Sequence, residues 1–205
     1  MVAQTQPANR RGRWVLLALA LLSLSGITAA FVLVALDWRP TATKNYGELV
    51  QPARPIKDVE LRTLDGRAAR FSTLRGRWTL VYFGSAECLK PCEEALYKMR
   101  QIVAAQGRDA HRVQRVFVVT DARAVDLLRY HLAEYPGTQV YVGPVAAVPE
   151  LAAQFKLPAG GALDNLHRVY VVDPIGNLMM SYPADAELRR MNKDIGVLLR
   201  TSQIG

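Results

Sequence analysis

Residues 78–92 read WTLVYFGSAECLKPC, and this stretch decides the fold. Trp78 to Phe83 is an unbroken apolar run of strand-forming residues, the pattern of a strand buried on both faces. Gly84 ends the run. Leu96, Met99, Ile102 and Val103 then recur with helical spacing, which predicts a helix over Glu93 to Ala105 that starts near Cys92. Cys88 and Cys92 therefore stand between the carboxyl end of a central strand and a helix N-terminus. Ligand sites in open α/β sheets lie outside that end of the strands. A helix N-terminus also favours the thiolate over the thiol. Both sulfurs are expected to be reactive and near the surface.

The flanking sequence supplies the rest of the sheet. Val59 to Phe71 reads as a hairpin turning at Leu64-Asp65-Gly66-Arg67. Val113 to Thr120 is a second buried strand, and Ala122 to Glu134 a helix with Asp121 as its N-cap. Gln139 to Val142 is a short strand and Val148 to Phe155 a short helix. Val169 to Val172 and Leu178 to Tyr182 flank the turn Asp173-Pro174-Ile175-Gly176-Asn177 as antiparallel strands. Ala186 to Arg200 closes the chain as a helix. Alternating strands and helices predict an α/β domain, a central sheet with helices on both faces.

Trp14 to Leu36 is an uncharged run of 23 residues. At about 1.5 Å per residue it can cross a hydrocarbon core of roughly 30 Å. A cleaved signal peptide has a shorter apolar region, about 7–15 residues, and Thr28-Ala29-Ala30 is a weak cleavage candidate. A retained anchor is expected. Arg10, Arg11 and Arg13 precede the run, so the positive-inside rule places residues 1–13 in the cytoplasm and the C-terminal domain outside it. Residues 14–36 are then a transmembrane helix and residues 37–58, with Pro40, Pro52 and Pro55 and no clear period, a tether. Residues 59–205 form the outer domain. The formal charge is +8, but no basic block has interleaved aromatics, which argues against nucleic acid as a partner.

The chain has two cysteines, four positions apart. So short a loop stabilises a fold little when closed, which points to redox chemistry or metal binding. Residues four apart on a helix have Cβ atoms about 5–6 Å apart, whereas a disulfide needs about 3.5–4.5 Å. A disulfide therefore requires Cys88 to lie in the loop or the first turn to be distorted. Two thiolates reaching for one ion would select Cu(I), zinc or iron–sulfur chemistry. Of the three histidines, His111 sits in a polar link and His131 on an ordinary helical surface, and solvation accounts for both. His167 lies just before the strand Val169 to Val172, in a loop that this topology can pack beside the cysteines, and neutral imidazole suits copper. Met179 and Met180 are adjacent strand residues, read as core rather than ligands. Asp121, at the carboxyl edge of the sheet, is either the helix cap or an acidic residue that tunes or docks the site.

The block Gly76-Arg77-Trp78-Thr79-Leu80-Val81-Tyr82-Phe83-Gly84, followed by Cys88-x-x-x-Cys92, Glu94 and Leu96, resembles the SCO/SenC family over about residues 55–202. The resemblance implies a thioredoxin-like fold, a central mixed sheet flanked by helices with an N-terminal hairpin, on one transmembrane helix. It implies copper, Cu(I) or Cu(II), held by Cys88, Cys92 and His167, with Asp121 behind them and a Cys88–Cys92 disulfide in the oxidised form. It implies a metallochaperone rather than an enzyme, single-pass in a bacterial inner membrane with its domain in the periplasm. The partner would be the cytochrome c oxidase subunit carrying the CuA site, or another copper chaperone. Two departures stand out. Glu93 occupies the place of the family's usual proline, and His167 stands closer to the Asp173-Pro174-Ile175-Gly176 turn than the family's histidine. The alternative function is a thiol–disulfide oxidoreductase in which Cys88 and Cys92 keep the cysteines of an oxidase subunit or chaperone reduced. Thioredoxin-like reductases carry a cis-proline before the strand facing the cysteines. Here Asn165, Leu166, His167 and Arg168 precede Val169, which favours metal.

Overall fold

The computed structural model describes residues 10–36, 45–144 and 146–202. Residues 1–9 of the expected cytoplasmic segment and residues 37–44 of the expected tether lie outside the described residues. The chain divides into two units, one up to Lys44 and one from Asn45 onward.

Among the described residues, the first unit holds one helix, α1 (Arg10–Ala35). Its stretch Gly12–Ala35 is long and apolar enough to cross a membrane. The hydroxyls of Ser23, Ser25 and Thr28 bond to carbonyls three or four residues back, at 2.8–3.0 Å. These three hydroxyls are thus satisfied without water, as a hydrocarbon surrounding requires.

The second unit is built on one mixed sheet of eight strands. In chain order they are β1 (Glu48–Pro55), β2 (Glu60–Thr63), β3 (Ala68–Arg70), β4 (Trp78–Ser85), β5 (Val113–Asp121), β6 (Thr138–Val142), β7 (Val169–Val172) and β8 (Asn177–Tyr182). The spatial order is β1-β8-β7-β4-β5-β6-β2-β3. β4, β5 and β6 run parallel at its centre. β7 and β8 extend it antiparallel on one side, and the β2–β3 hairpin on the other. The helices are α2 (Lys90–Ala105), α3 (Val125–Leu132), α4 (Ala147–Ala153) and α5 (Leu188–Thr201).

The sheet is covered on both faces, as the apolar runs of β4 and β5 require. Trp78, Leu80 and Tyr82 of β4 pack with Leu96, Met99 and Ile102 of α2, Leu128 of α3 and Met191 and Ile195 of α5. Val81 and Phe83 turn the opposite way, against Leu151 of α4, Phe155 and Phe71. Met180 is fully buried in the first layer and Met179 packs at its margin, as the core reading expects.

Three expectations change. The segment 45–58, read as tether, contains the edge strand β1, with Glu48 opposite Ser181 and Leu49 opposite Met180. Prolines are tolerated there because an edge strand leaves half its backbone groups unpaired. The start of this segment is pinned by the buried carboxylate of Asp194, which accepts the amides of Tyr46 and Gly47 at 2.9 and 2.8 Å. Helix α2 begins two residues before Cys92, because Lys90 and Pro91 fill its first turn, where proline costs nothing. Helix α3 begins at Val125 with Ala124 at its cap, so Asp121 is not its N-cap.

Candidate functional site

Three loops open on one edge of the sheet. Parallel β4 and β5 end together, with Ser85 opposite Asp121, and antiparallel β7 starts beside them, with Val169 opposite Tyr82. The cysteine loop follows β4, Asp121 ends β5, and His167 precedes β7.

The cysteine loop is held by its backbone. The Ala86 amide donates to the Asp121 carbonyl at 2.8 Å, and the Cys88 amide to the Ser85 carbonyl at 3.2 Å. Cys88 lies ahead of α2 with φ of 43°, and Cys92 lies in the helix's first turn. That places their Cα atoms 5.0 Å apart, and the two sulfurs form a disulfide. The loop position of Cys88 meets the condition that the spacing imposed. The expectation of surface sulfurs is corrected: Cys88 is 2% exposed and Cys92 3%. The pair sits in the same buried cluster as Tyr82, while Leu89 between them is 68% exposed. The Cys-x-x-x-Cys loop turns its middle outward and its sulfurs inward.

His167 lies in the left-handed region with φ of 47°, two residues after Asn165 with φ of 53°. Among the described non-glycine residues, only Cys88, Asn165 and His167 have positive φ. All three fall in the two loops facing this edge. Such conformations cost energy and gather at functional sites. Nδ1 of His167 lies 2.7 Å from the hydroxyl of Tyr82, and the rings stack with centroids 6.3 Å apart. Tyr82 is fully buried, and burial pushes its hydroxyl above the ordinary phenol range. The next residue, Arg168, is also buried. Its guanidinium donates to Ser181 Oγ at 2.9 Å and pairs with Glu48, which anchors the histidine loop to β8 and β1.

Asp121 contributes its carbonyl to the cysteine loop and turns its carboxylate to Arg123. It accepts the Arg123 amide at 3.1 Å and the guanidinium at 2.5–3.0 Å. Hydrogen bonds from the Arg123 side chain, then from its amide, hold the Asp121 carboxyl below its ordinary range. Glu93 faces His131, with Oε1 3.4 Å from Nδ1. His111 bonds the Arg108 carbonyl at 2.8 Å, as a solvated link histidine would. No three His, Cys, Asp or Glu side chains converge to hold a metal ion among the described residues. In this oxidised form Cys88 and Cys92 bond each other, and His167 bonds Tyr82.

The sequence reading passed over Tyr82, Gly84 and Arg168. Tyr82 carried a signal, since a phenol inside an otherwise apolar buried strand needs a hydrogen-bond partner. Arg168 carried none, because a single arginine before a strand reads as surface.

Fold and sheet-edge cysteine pair together define a thioredoxin-like domain, on a chain with one candidate membrane span among the described residues. The chain belongs to the family described as "Transmembrane-like, thioredoxin-like, C-terminal domain", whose model matches residues 78–202. No curated protein matches it. Solved structures with the same fold include Bradyrhizobium japonicum ScoI with copper bound, at 21% identity and a TM-score of 0.56, covering 73% of this chain and 99% of that one. Yeast Sco1 with copper bound matches at 16% identity and a TM-score of 0.63, covering 75% of this chain and 96% of that one. BsSco is a member of the Sco family of cytochrome c oxidase assembly proteins in which a disulfide switch was identified. It matches at 16% identity and a TM-score of 0.55, covering 74% and 99%. The SCO/SenC resemblance is borne out in the fold.

Proposed function

We propose that this chain is a copper-binding assembly factor that delivers copper to cytochrome c oxidase or matures its copper centre. In this reading α1 anchors it in a bacterial inner membrane, with residues 1–13 in the cytoplasm and the folded unit in the periplasm. The observation that carries the reading is the shared edge. Two strained loops bring two sulfurs and one imidazole to the same end of β4, in a chain with no other cysteine. Two thiolates and a neutral imidazole are a donor set suited to copper. Copper is the cargo. A dithiol donor supplies two electrons and two protons, ending as a disulfide itself, and opens the Cys88–Cys92 bond to two thiols; these release their protons to solvent as the sulfurs, with His167, take the ion. Copper also appears in the names of the Bradyrhizobium and yeast structures that share the fold.

A second reading rests on the disulfide itself. The reduced pair would attack a target disulfide through one thiolate, release the mixed disulfide with the other, and end in the form seen here. The residues leading into β7 count against it, since His167 and Arg168 stand where reductases carry the cis-proline. The test is a strain lacking this chain, grown at low copper. Its oxidase is expected to lack the CuA absorbance and paramagnetic signal, restored by the wild-type chain but not by Cys88→Ala or Cys92→Ala. A fully metallated oxidase in that strain would sink the proposal.

A further inference from the structure

The bond between Tyr82 and His167 is built from both sides. On the β4 side, Gly84 makes room for the phenol ring. A Cβ at residue 84 would lie 2.7 Å from Tyr82 Cε1 and 3.2 Å from Phe117 Cε2. The ring therefore occupies space that any other residue at 84 would fill, and it reaches along the strand toward the sheet edge. On the β7 side, the left-handed backbone of His167 and the buried anchor of Arg168 hold the imidazole to meet it. The two atoms meet at 2.7 Å.

Proton counting then assigns the roles. The Tyr82 hydroxyl is buried and has no other hydrogen-bond partner among the described residues. An unmet buried O–H is costly, so Tyr82 donates and Nδ1 accepts. A neutral imidazole has one N–H, which then resides on Nε2. With the Nδ1 lone pair bonded and Nε2 protonated, the ring has no lone pair left to offer a metal ion.

We infer that Tyr82 is a latch that holds His167 in a non-ligating state, so that copper engages this histidine only by breaking that arrangement, either displacing the hydroxyl from Nδ1 or releasing the Nε2 proton to solvent, with Nδ1 protonated in its place and the Tyr82 O–H left without its acceptor. The inference rests on the reading of His167 as a ligand and adds its regulation. The latch competes with the metal, so removing it strengthens binding. A merely structural role for the hydroxyl would have the opposite sign.

The test uses the full chain in detergent micelles, labelled with ¹⁵N-histidine. In the copper-free protein, the His167 signals of wild type are expected to show Nε2 protonated and Nδ1 as a hydrogen-bond acceptor. Tyr82→Phe keeps the ring and removes only the hydroxyl, and the Nδ1 signal is expected to lose that bond. Copper(I) titration of the reduced chain is expected to show Tyr82→Phe binding roughly 2- to 12-fold more tightly, the worth of one neutral hydrogen bond. His167→Ala is expected to bind more weakly than wild type. An unchanged Nδ1 signal in Tyr82→Phe overturns the latch. Unchanged or weaker binding in Tyr82→Phe, with His167→Ala weakened, also overturns it and leaves the ligand reading intact. Unchanged binding in both variants overturns the ligand reading and the latch with it.

Discussion

The amide of Ala86 donates to the carbonyl of Asp121 across 2.8 Å, tying the cysteine loop to the end of β5 through backbone alone. The Asp121 carboxylate is spent on Arg123, whose side chain is 84% exposed. Asp121→Asn keeps both the backbone tie and the local turn to the Arg123 amide. It is expected to leave the melting temperature within about 2 °C of wild type. A larger drop in a thermal scan would mean that the carboxylate, and not the carbonyl, holds the loop.

Gly84 is expected to resist substitution despite its ordinary strand backbone. Gly84→Ala places a methyl 2.7 Å from the Tyr82 ring and 3.2 Å from the Phe117 ring, both fully buried. Overpacking of this kind costs about 1–3 kcal/mol. Urea unfolding should show that loss, and a neutral result would mean that the ring moves aside freely.

Asp194 stitches the start of the folded unit to α5. Its Oδ2 accepts the amides of Tyr46 and Gly47, and the Tyr182 hydroxyl at 3.3 Å. Asp194→Ala strands three donors, and one unmet buried group alone costs about 1–3 kcal/mol. Asp194→Asn retains an accepting oxygen and is expected to lose less. Equal losses in the two variants by urea unfolding would contradict this account of the contact.

Acid should reveal Asp58. Burial raises its pKa, but the amide and hydroxyl of Ser72 and then Arg70 outweigh that and hold it below the ordinary value. A depressed folded pKa adds stability above the unfolded value, about 3.9. That contribution is lost as pH falls through the folded value. Asp58→Asn is therefore expected to be less stable than wild type at pH 6, with the gap closing below about pH 4. Stability measured by denaturant from pH 6 to 2.5 checks this, and a constant gap would contradict it.

What could be read in advance follows from burial. β4 and β5 were legible because strands covered on both faces must be apolar throughout, and the hairpin was legible because Asp65-Gly66 demands a turn. β1 was hidden because an edge strand with two prolines, Pro52 and Pro55, looks like a linker and gains its order from β8 and Asp194. At the site, Cys88 and Cys92 declared themselves by their isolation and place. Their depth did not, since it depends on how Ala86 and Cys88 fold the loop back through backbone bonds that side chains do not encode. Of the two readings of Asp121, helix cap or site acid, the cap fails because Arg123, two residues on, takes its carboxylate before α3 begins. The Tyr82–His167 bond joins residues 85 positions apart and depends on a missing side chain at Gly84.

The central claim is that Cys88, Cys92 and His167 form one copper site in the reduced chain. Anaerobic titration of the full reduced chain with Cu(I), against a competing chelator, tests it most directly. The expected result is one tightly bound ion per chain, lost in Cys88→Ala and Cys92→Ala and weakened in His167→Ala. Stoichiometric binding that all three substitutions leave intact, or no binding by the reduced wild-type chain, would contradict it.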